Sequence, residues 1–102
     1  MEIKTRMYKN SLYLTLNGEL DEHSSIYTRE TLDNILDNES YNQVVIDLNE
    51  LDFMDSTGIG VMIGRYKKLK QKEVPLYLIN PNKHIDKIFE MTGLYRIMPK
   101  LV

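Results

Sequence analysis

Residues 44–60, VVIDLNELDFMDSTGIG, decide how this chain is organised. The first five form a short apolar run rich in β-branched residues and interrupted only by Asp47, which is typical of a strand covered on both faces. From about residue 57 the apolar residues recur at intervals of three and four, which predicts a helix with one apolar stripe. These residues are Ile59, Met62, Ile63, Tyr66 and Leu69. A strand therefore leads into a helix through FMDSTGIG, residues 53–60.

The sequence before this strand and helix predicts a hairpin and a further helix. Apolar and polar residues alternate on both sides of a turn at Lys9–Asn10, which is typical of two antiparallel strands. We expect the second strand to end at GELD, residues 18–21. Ser24 or Ser25 could then cap a helix that runs to about Asp37.

The segment after it predicts one more strand and one more helix. Val74–Pro75 ends the second helix, and residues 76–79, LYLI, read as a short buried strand. Asn82 is a candidate cap for a third helix that Gly93 ends, and the tail can form a final strand or turn.

The order β-β-α-β-α-β-α predicts one α/β domain over residues 1–102, with a mixed sheet that is mostly parallel after the opening hairpin. In such sheets, sites form beyond the carboxyl ends of the strands. Both GELD and FMDSTGIG fall at that position, so we expect the two segments to share one end of the sheet.

Composition restricts the possible functions. A formal net charge of −2 and a pI near 5.6 give no general attraction to nucleic acid or anionic lipid. No apolar run approaches the roughly 20 residues that span a bilayer. The first ten residues lack the apolar region of a secretion signal, which favours a cytoplasmic location. The absence of cysteine excludes disulfides, thiolate metal sites and cysteine nucleophiles.

Ser56 could be a nucleophile, a helix cap, part of a phosphate cradle or a residue that another protein modifies. A nucleophile elbow requires G-x-S-x-G, and Met54 occupies the position of the first glycine. A hydrolase would need His23 or His84 as its base. His84 falls at the start of the third helix and reads as an ordinary exposed residue, and no third group is evident that would orient His23. The glycines of G-x-G-x-x-x-G, residues 58–64, are spaced one residue too widely for the dinucleotide fingerprint, and no P-loop tripeptide occurs.

As an N-cap, Ser56 would stabilise the helix by about 1 kcal/mol. A cap does not require Gly58 and Gly60, each of which weakens the first turn by up to about 1 kcal/mol relative to alanine. Gly60 and Gly64 would instead let the helix lie close to the sheet or to a partner. A phosphoryl group on Ser56 would sit at a helix N-terminus and add a charge of about −1.5 to −2. The residues around Ser56 are therefore suited to a phosphorylation switch.

Residues 53–71, FMDSTGIGVMIGRYKKLKQ, closely resemble the signature of anti-anti-sigma factors, small bacterial proteins of the STAS domain family. GELD at 18–21 and IFEMTGL at 88–94 match two further family segments at the expected distances. The resemblance covers nearly the whole chain. GRYK, residues 64–67, is more similar to the sporulation antagonist of anti-sigma F than to its general-stress relative.

The resemblance implies a small mixed sheet with helices mainly on one side, and a regulator without catalytic activity, cofactor or metal. Unmodified members bind an anti-sigma factor that is also an ATP-using serine kinase, and so release the sigma factor. The kinase phosphorylates the serine of D-S-x-G, here Ser56, and a PP2C-type phosphatase restores the active form. Transcription is thus regulated by partner switching, with no nucleic-acid or membrane partner.

The resemblance also implies a partner-binding surface. Asp21 is a candidate for a contact with an arginine of the kinase and equally for a turn residue, and Asp55 could orient the acceptor hydroxyl or cap the helix. Thr57 is a second hydroxyl beside Ser56. The residues expected in the surface are Gly18, Glu19, Leu20, Asp21, His23, Met54, Asp55, Ser56, Thr57, Gly58, Ile59 and Gly60. The alternatives are a general-stress antagonist, a constitutive interaction module and a hydrolase that uses Ser56.

Overall fold

The opening hairpin forms as the alternation predicts. In the computed structural model, which describes residues 1–101, β1 (Glu2–Tyr8) pairs antiparallel with β2 (Ser11–Leu20). The two turn residues, Lys9 and Asn10, both have positive φ angles, 47° and 65°. A two-residue turn of this kind matches the right-handed twist of the strands it joins.

The remaining elements alternate between helix and strand. Helix α1 (Ser25–Asn38) leads to β3 (Gln43–Asp47), and α2 (Ser56–Gln71) leads to β5 (Leu76–Ile79). The sheet has the order β1-β2-β3-β5, and the pairs β2–β3 and β3–β5 are parallel. The predicted fold class, a small mixed sheet that opens with an antiparallel hairpin, is confirmed.

The structure corrects the prediction at GELD. β2 does not end at Gly18 but continues to Leu20, and its register shifts between Gly18 and Glu19. From Gly18 onward it pairs in parallel with β4 (Leu51–Met54), a strand that is not predicted from the sequence. Gly18 has a φ of 123°, a backbone conformation that favours glycine. The glycine that was taken to begin a turn therefore lies where β2 changes its neighbour from β3 to β4.

The core lies on one face of the sheet. Leu12, Leu14 and Leu16 of β2 are at most 1% exposed, whereas Tyr13 and Thr15, which alternate with them, stay partly exposed. Apolar residues of all three helices pack against this core. They are Leu32 and Leu36 of α1, Met62 and Leu69 of α2, and Ile85 and Phe89 of α3 (Lys83–Thr92). The helices thus pack mainly on one side, as predicted.

Helix α2 is rotated relative to the stripe that the sequence predicts. Met62 and Leu69 are buried as expected, but the other three predicted positions are only half-buried: Ile59, Ile63 and Tyr66. Arg65, in contrast, is 9% exposed. The three half-buried residues still pack against the core, as the stripe predicts. Arg65 joins this face because a long side chain can bury its methylene groups while its charged end meets a partner.

The partners of that face are acidic residues of α1. Arg65 Nε lies 3.0 Å from Asp33 Oδ1, and Lys68 Nζ lies 2.8 Å from Asp37 Oδ1. Burial lowers the pKa of Arg65 and the carboxylate of Asp33 opposes that effect, so the guanidinium remains charged. Helices α1 and α2 therefore lie side by side, with acids on one meeting bases on the other.

Helix α3 begins and ends as predicted. Asn82 is its N-cap, and the side-chain oxygen accepts a 2.8 Å hydrogen bond from the Ile85 amide. Gly93 ends the helix with a φ of 74°. After a short 3-10 helix (Leu94–Arg96), Lys100 pairs with Leu78 at the outer edge of β5. The C-terminal tail, residues 94–101, therefore supplies both a turn and an extended edge segment.

Asp86 of α3 forms side-chain hydrogen bonds with two residues of this tail. Its Oδ1 accepts hydrogen bonds from the hydroxyl of Tyr95 and, at 2.9 Å, from the ammonium of Lys100. These bonds, the one from Tyr95 first, lower the pKa of Asp86. The ionised carboxylate is therefore favoured in the folded state.

We expect Asp86→Asn to destabilise the protein in a pH-dependent way. A lowered pKa contributes stability above the unfolded-state value near 3.9, and that contribution disappears as the pH falls through the folded-state value. The difference in urea midpoint between wild type and Asp86→Asn should be largest at about pH 6 and vanish at about pH 2. Asp52→Asn, at an exposed carboxylate, is the control. A difference that is equal at both pH values contradicts the assignment.

Candidate functional site

Asp55, rather than Ser56, caps helix α2. Asp55 has an extended backbone, with φ −104° and ψ −172°, and its Oδ1 accepts a 2.9 Å hydrogen bond from the Gly58 amide. Ser56 is the first residue inside the helix. The prediction that Ser56 is the cap is therefore wrong, and the alternative role of Asp55 as a cap is confirmed. Since Asp55 satisfies the helix end, the exposed hydroxyl of Ser56 is not needed for it.

GELD and FMDSTGIG lie against each other, as expected. Leu20 pairs with Met54, and the Asp55 amide donates a 3.3 Å hydrogen bond to the Leu20 carbonyl. Gly58 packs on the same carbonyl so closely that a Cβ at this position would lie 2.3 Å from the oxygen. Gly58 therefore holds the start of α2 against the end of β2.

Gly60 and Gly64 do not approach the sheet. A Cβ built at either position would have no heavy atom within 4 Å, leaving out the backbone of α2 itself. The expectation that they bring the helix close to the sheet is wrong, because Gly58 does so one turn earlier. Their other suggested role, to leave the helix backbone open to a partner, is compatible with this geometry.

The turn between β2 and α1 is built by Asp21. Its Oδ1 accepts hydrogen bonds from the amides of His23, at 2.9 Å, and Ser24, at 3.1 Å. Ser24 occupies the N-cap position of α1, but its hydroxyl donates to the Glu19 carbonyl at 2.7 Å and does not cap the helix. The turn role of Asp21 is thus present in the structure, and its contact with an arginine of a partner stays a prediction.

The predicted contact residues fall into two groups. Leu20, Met54 and Gly58 are buried: the first two have core side chains, and the Gly58 backbone packs on β2, so all three position the surface instead of contacting a partner. The others are at least partly exposed: Gly18, Glu19, Asp21, His23, Asp55, Ser56, Thr57, Ile59 and Gly60.

This end of the sheet is acidic. Its exposed or half-exposed carboxylates belong to Glu19, Asp21, Glu22, Asp52 and Asp55. Lysines lie at the opposite end of α2, where Lys68 and Lys70 are in its last turn. A basic partner surface would therefore be attracted to this end, and a negative charge added here would lie among like charges of this chain.

The two histidines are engaged elsewhere. The ring of His84 stacks on Phe53 with 6.1 Å between centroids, and His23 Nε2 lies 3.8 Å from Glu22 Oε1. Within residues 1–101 neither histidine forms a hydrogen bond with Ser56, and no group of three or more histidine and carboxylate side chains is placed to hold a metal ion. In the part of the chain that the structure describes, neither histidine is hydrogen-bonded to Ser56 as a general base would be.

Two apolar features beside the site are not predicted from the sequence. Phe53, before the D-S-x-G motif, is 41% exposed, and Ile26 and Tyr27 in the first turn of α1 are 60% and 55% exposed. The buried residues of α1 are Thr28, Leu32 and Leu36, at intervals of four. That spacing could have shown that Ile26 and Tyr27 lie off the core face.

Comparisons with known proteins agree with this geometry. The sequence profile of the STAS domain matches residues 2–102. The anti-sigma F factor antagonist of Paenibacillus polymyxa is 34% identical over 99 residues, which cover 97% of this chain and 85% of that protein. The anti-sigma-B factor antagonist of Staphylococcus epidermidis is 31% identical over 101 residues, covering 96% and 90%.

A solved structure shares the same architecture. The unphosphorylated form of the anti-sigma factor antagonist SpoIIAA superimposes with a TM-score of 0.80 at 25% identity, covering 99% of this chain and 89% of that one. The phosphorylated form of SpoIIAA, a Bacillus cell fate determinant, gives a TM-score of 0.73 at 25% identity, covering 99% and 92%. Within residues 1–101, no helix has the length and apolar character to cross a membrane.

Proposed function

Because this chain belongs to the STAS domain family, we propose that it is an anti-sigma factor antagonist switched by phosphorylation of Ser56. The observation that carries the proposal is the exposed Ser56 hydroxyl at the start of α2, which the neighbouring Asp55 frees from capping. GELD lies beside it through the Leu20 contacts, so one partner surface can cover both segments.

The chemistry of the switch follows from the position of Ser56. A kinase partner transfers the γ-phosphoryl group of ATP to the hydroxyl oxygen, the bond to the bridging oxygen of ADP breaks, and a base of the kinase takes the proton. The product carries a charge of about −1.5 to −2 beside Asp55 and Asp52, where it repels acidic groups and obstructs a docked surface. A PP2C-type phosphatase with a bound metal hydrolyses the ester and restores the hydroxyl. The existence of SpoIIAA in both forms supports this cycle.

The proposed partner is an anti-sigma factor with serine kinase activity, and the proposed result is release of a sigma factor in the cytoplasm. The sporulation pathway is favoured because the anti-sigma F antagonist of P. polymyxa is 34% identical and because GRYK, residues 64–67, resembles that branch. The general-stress pathway is the second candidate, since the S. epidermidis antagonist of anti-sigma-B is 31% identical. Neither candidate role requires catalysis by this chain.

A phosphopeptide map tests the proposal. We expect incubation with Mg·ATP and the kinase anti-sigma factor of the same genome to add one phosphate to the peptide that contains Ser56. Ser56→Ala should abolish the transfer and Thr57→Ala should preserve it, because Ser56 is the proposed acceptor. The two variants are matched, since each removes one of two adjacent exposed hydroxyls. No transfer to wild type, or transfer to Thr57 alone, contradicts the assignment of Ser56.

A further inference from the structure

The first turn of α1 presents two adjacent apolar side chains to solvent. Ile26 and Tyr27 are 60% and 55% exposed, while the core face of the helix uses Thr28, Leu32 and Leu36. Single exposed apolar residues are common on protein surfaces. Here two large apolar residues are exposed in one helical turn beside a proposed binding site, and exposed apolar surface of this kind can mark protein contacts.

The side of α1 that carries Ile26 faces α2. Seven residues make nearly two helical turns, so Ile26 lies on the same side of α1 as Asp33, whose carboxylate contacts Arg65 of α2. The next contact along the two helices joins Asp37 of α1 to Lys68 of α2. Both residues follow the Asp33–Arg65 pair, so the two helices run in the same direction. Two turns before Arg65 is Gly58, so Ile26 is level with the start of α2.

The same region is rigidly joined to the proposed site. Hydrogen bonds of the turn that Asp21 and Ser24 build connect the start of α1 to the end of β2. The Leu20 carbonyl at that end touches Gly58 of α2. The apolar pair therefore continues the surface of GELD and Ser56 without an intervening flexible segment.

We infer that Ile26 and Tyr27 are the apolar anchor of the interface with the anti-sigma factor, an inference that rests on the proposed function. Three carboxylates that are at least partly exposed precede the pair in the chain: Glu19, Asp21 and Glu22. The partner surface that fits is an apolar pocket with lysine and arginine at its rim. Buried apolar anchors within a polar rim are the usual arrangement of energetically important contacts in interfaces. Within this pair, Ile26 is the residue on the side of α2 and Ser56, and Tyr27 extends the apolar surface away from α2.

Binding measurements on three serine variants, one of them a double variant, test the anchor. The titrations use the purified kinase anti-sigma factor of the same genome with ADP, so that no phosphate is transferred. We expect Ile26→Ser with Tyr27→Ser to raise Kd about 10- to 100-fold. The matched controls are Tyr8→Ser on β1, where the side chain is 56% exposed, and Met91→Ser on α3, where it is 76% exposed. Both controls should stay within about twofold of wild type, and thermal unfolding should show that all variants fold.

A second pair of variants tests the charge of the partner. Ile26→Lys should weaken binding more than Ile26→Glu, because a basic rim repels the lysine. If the serine double variant binds the anti-sigma factor as tightly as wild type does, the inference that Ile26 and Tyr27 anchor the interface is overturned, and the proposed function stands. If wild type does not bind the anti-sigma factor at all, both are overturned. A greater loss with Ile26→Glu than with Ile26→Lys contradicts the basic rim.

Discussion

Gly58→Ala is expected to lower the free energy of unfolding by about 3 kcal/mol, because overpacking at a rigid contact is costly. A Cβ at this position would lie 2.3 Å from the Leu20 carbonyl oxygen and 2.7 Å from the Met54 side chain. The carbonyl belongs to β2 and cannot turn away without losing its hydrogen bond from the Asp55 amide. Urea unfolding followed by circular dichroism measures the loss.

Two other glycines of α2 provide matched controls with the opposite sign. Gly60→Ala and Gly64→Ala place the new methyl group in open space, so they should stabilise the helix by about 0.5–1 kcal/mol each. If Gly58→Ala also raises the free energy of unfolding, the close contact with Leu20 does not exclude a side chain at residue 58. Partner binding by the same three proteins would separate stability from recognition, since Gly60 and Gly64 face outward.

Ser56→Asp is expected to reduce affinity for the anti-sigma factor about 100-fold or more, while Ser56→Ala binds like wild type. The aspartate adds a charge at an end of the sheet where Glu19, Asp52 and Asp55 already lie. Desolvating an unpaired charge in an interface typically costs several kcal/mol. The alanine removes only an exposed hydroxyl that Asp55 makes unnecessary as a cap. Isothermal titration with the ADP-bound partner gives both affinities.

Ser40→Asp is the control for net charge. Ser40 is exposed and follows α1, which runs away from the proposed site, so the same added charge there should leave Kd within about twofold of wild type. Equal affinities for Ser56→Ala and Ser56→Asp would mean a constitutive interaction module without a switch at this residue.

The sequence was sufficient to predict the hairpin, the strands β3 and β5, and the three helices, because each carries a clear period or a turn residue. It was insufficient for β4, whose four residues do not alternate and which pairs with Gly18–Leu20 at the end of β2. Glycine followed by acidic residues is typical of turns, and only a neighbouring strand in space could turn GELD into part of a sheet.

The candidate site shows a similar limit. Asp55 and Ser56 are both favoured caps, and the backbone geometry that selects Asp55 depends on where β4 ends. Likewise, local rules do not tell which of three glycines touches the sheet, since that depends on the rotation of α2. The motif itself was placed correctly beside GELD, because parallel strands bring their carboxyl ends together.

The tail that pairs with β5 has a consequence for colloidal behaviour at high concentration. Unpaired strand edges recruit other chains into growing intermolecular sheets. Along β5, the Leu78 amide and carbonyl are already bonded to Pro99 and Leu101, so this edge is capped by the chain itself. Protonation of Asp86 in acid would weaken the contacts that join the tail to α3, and so favour exposure of the edge. Storage near neutral pH should therefore limit fibril formation from this side of the sheet.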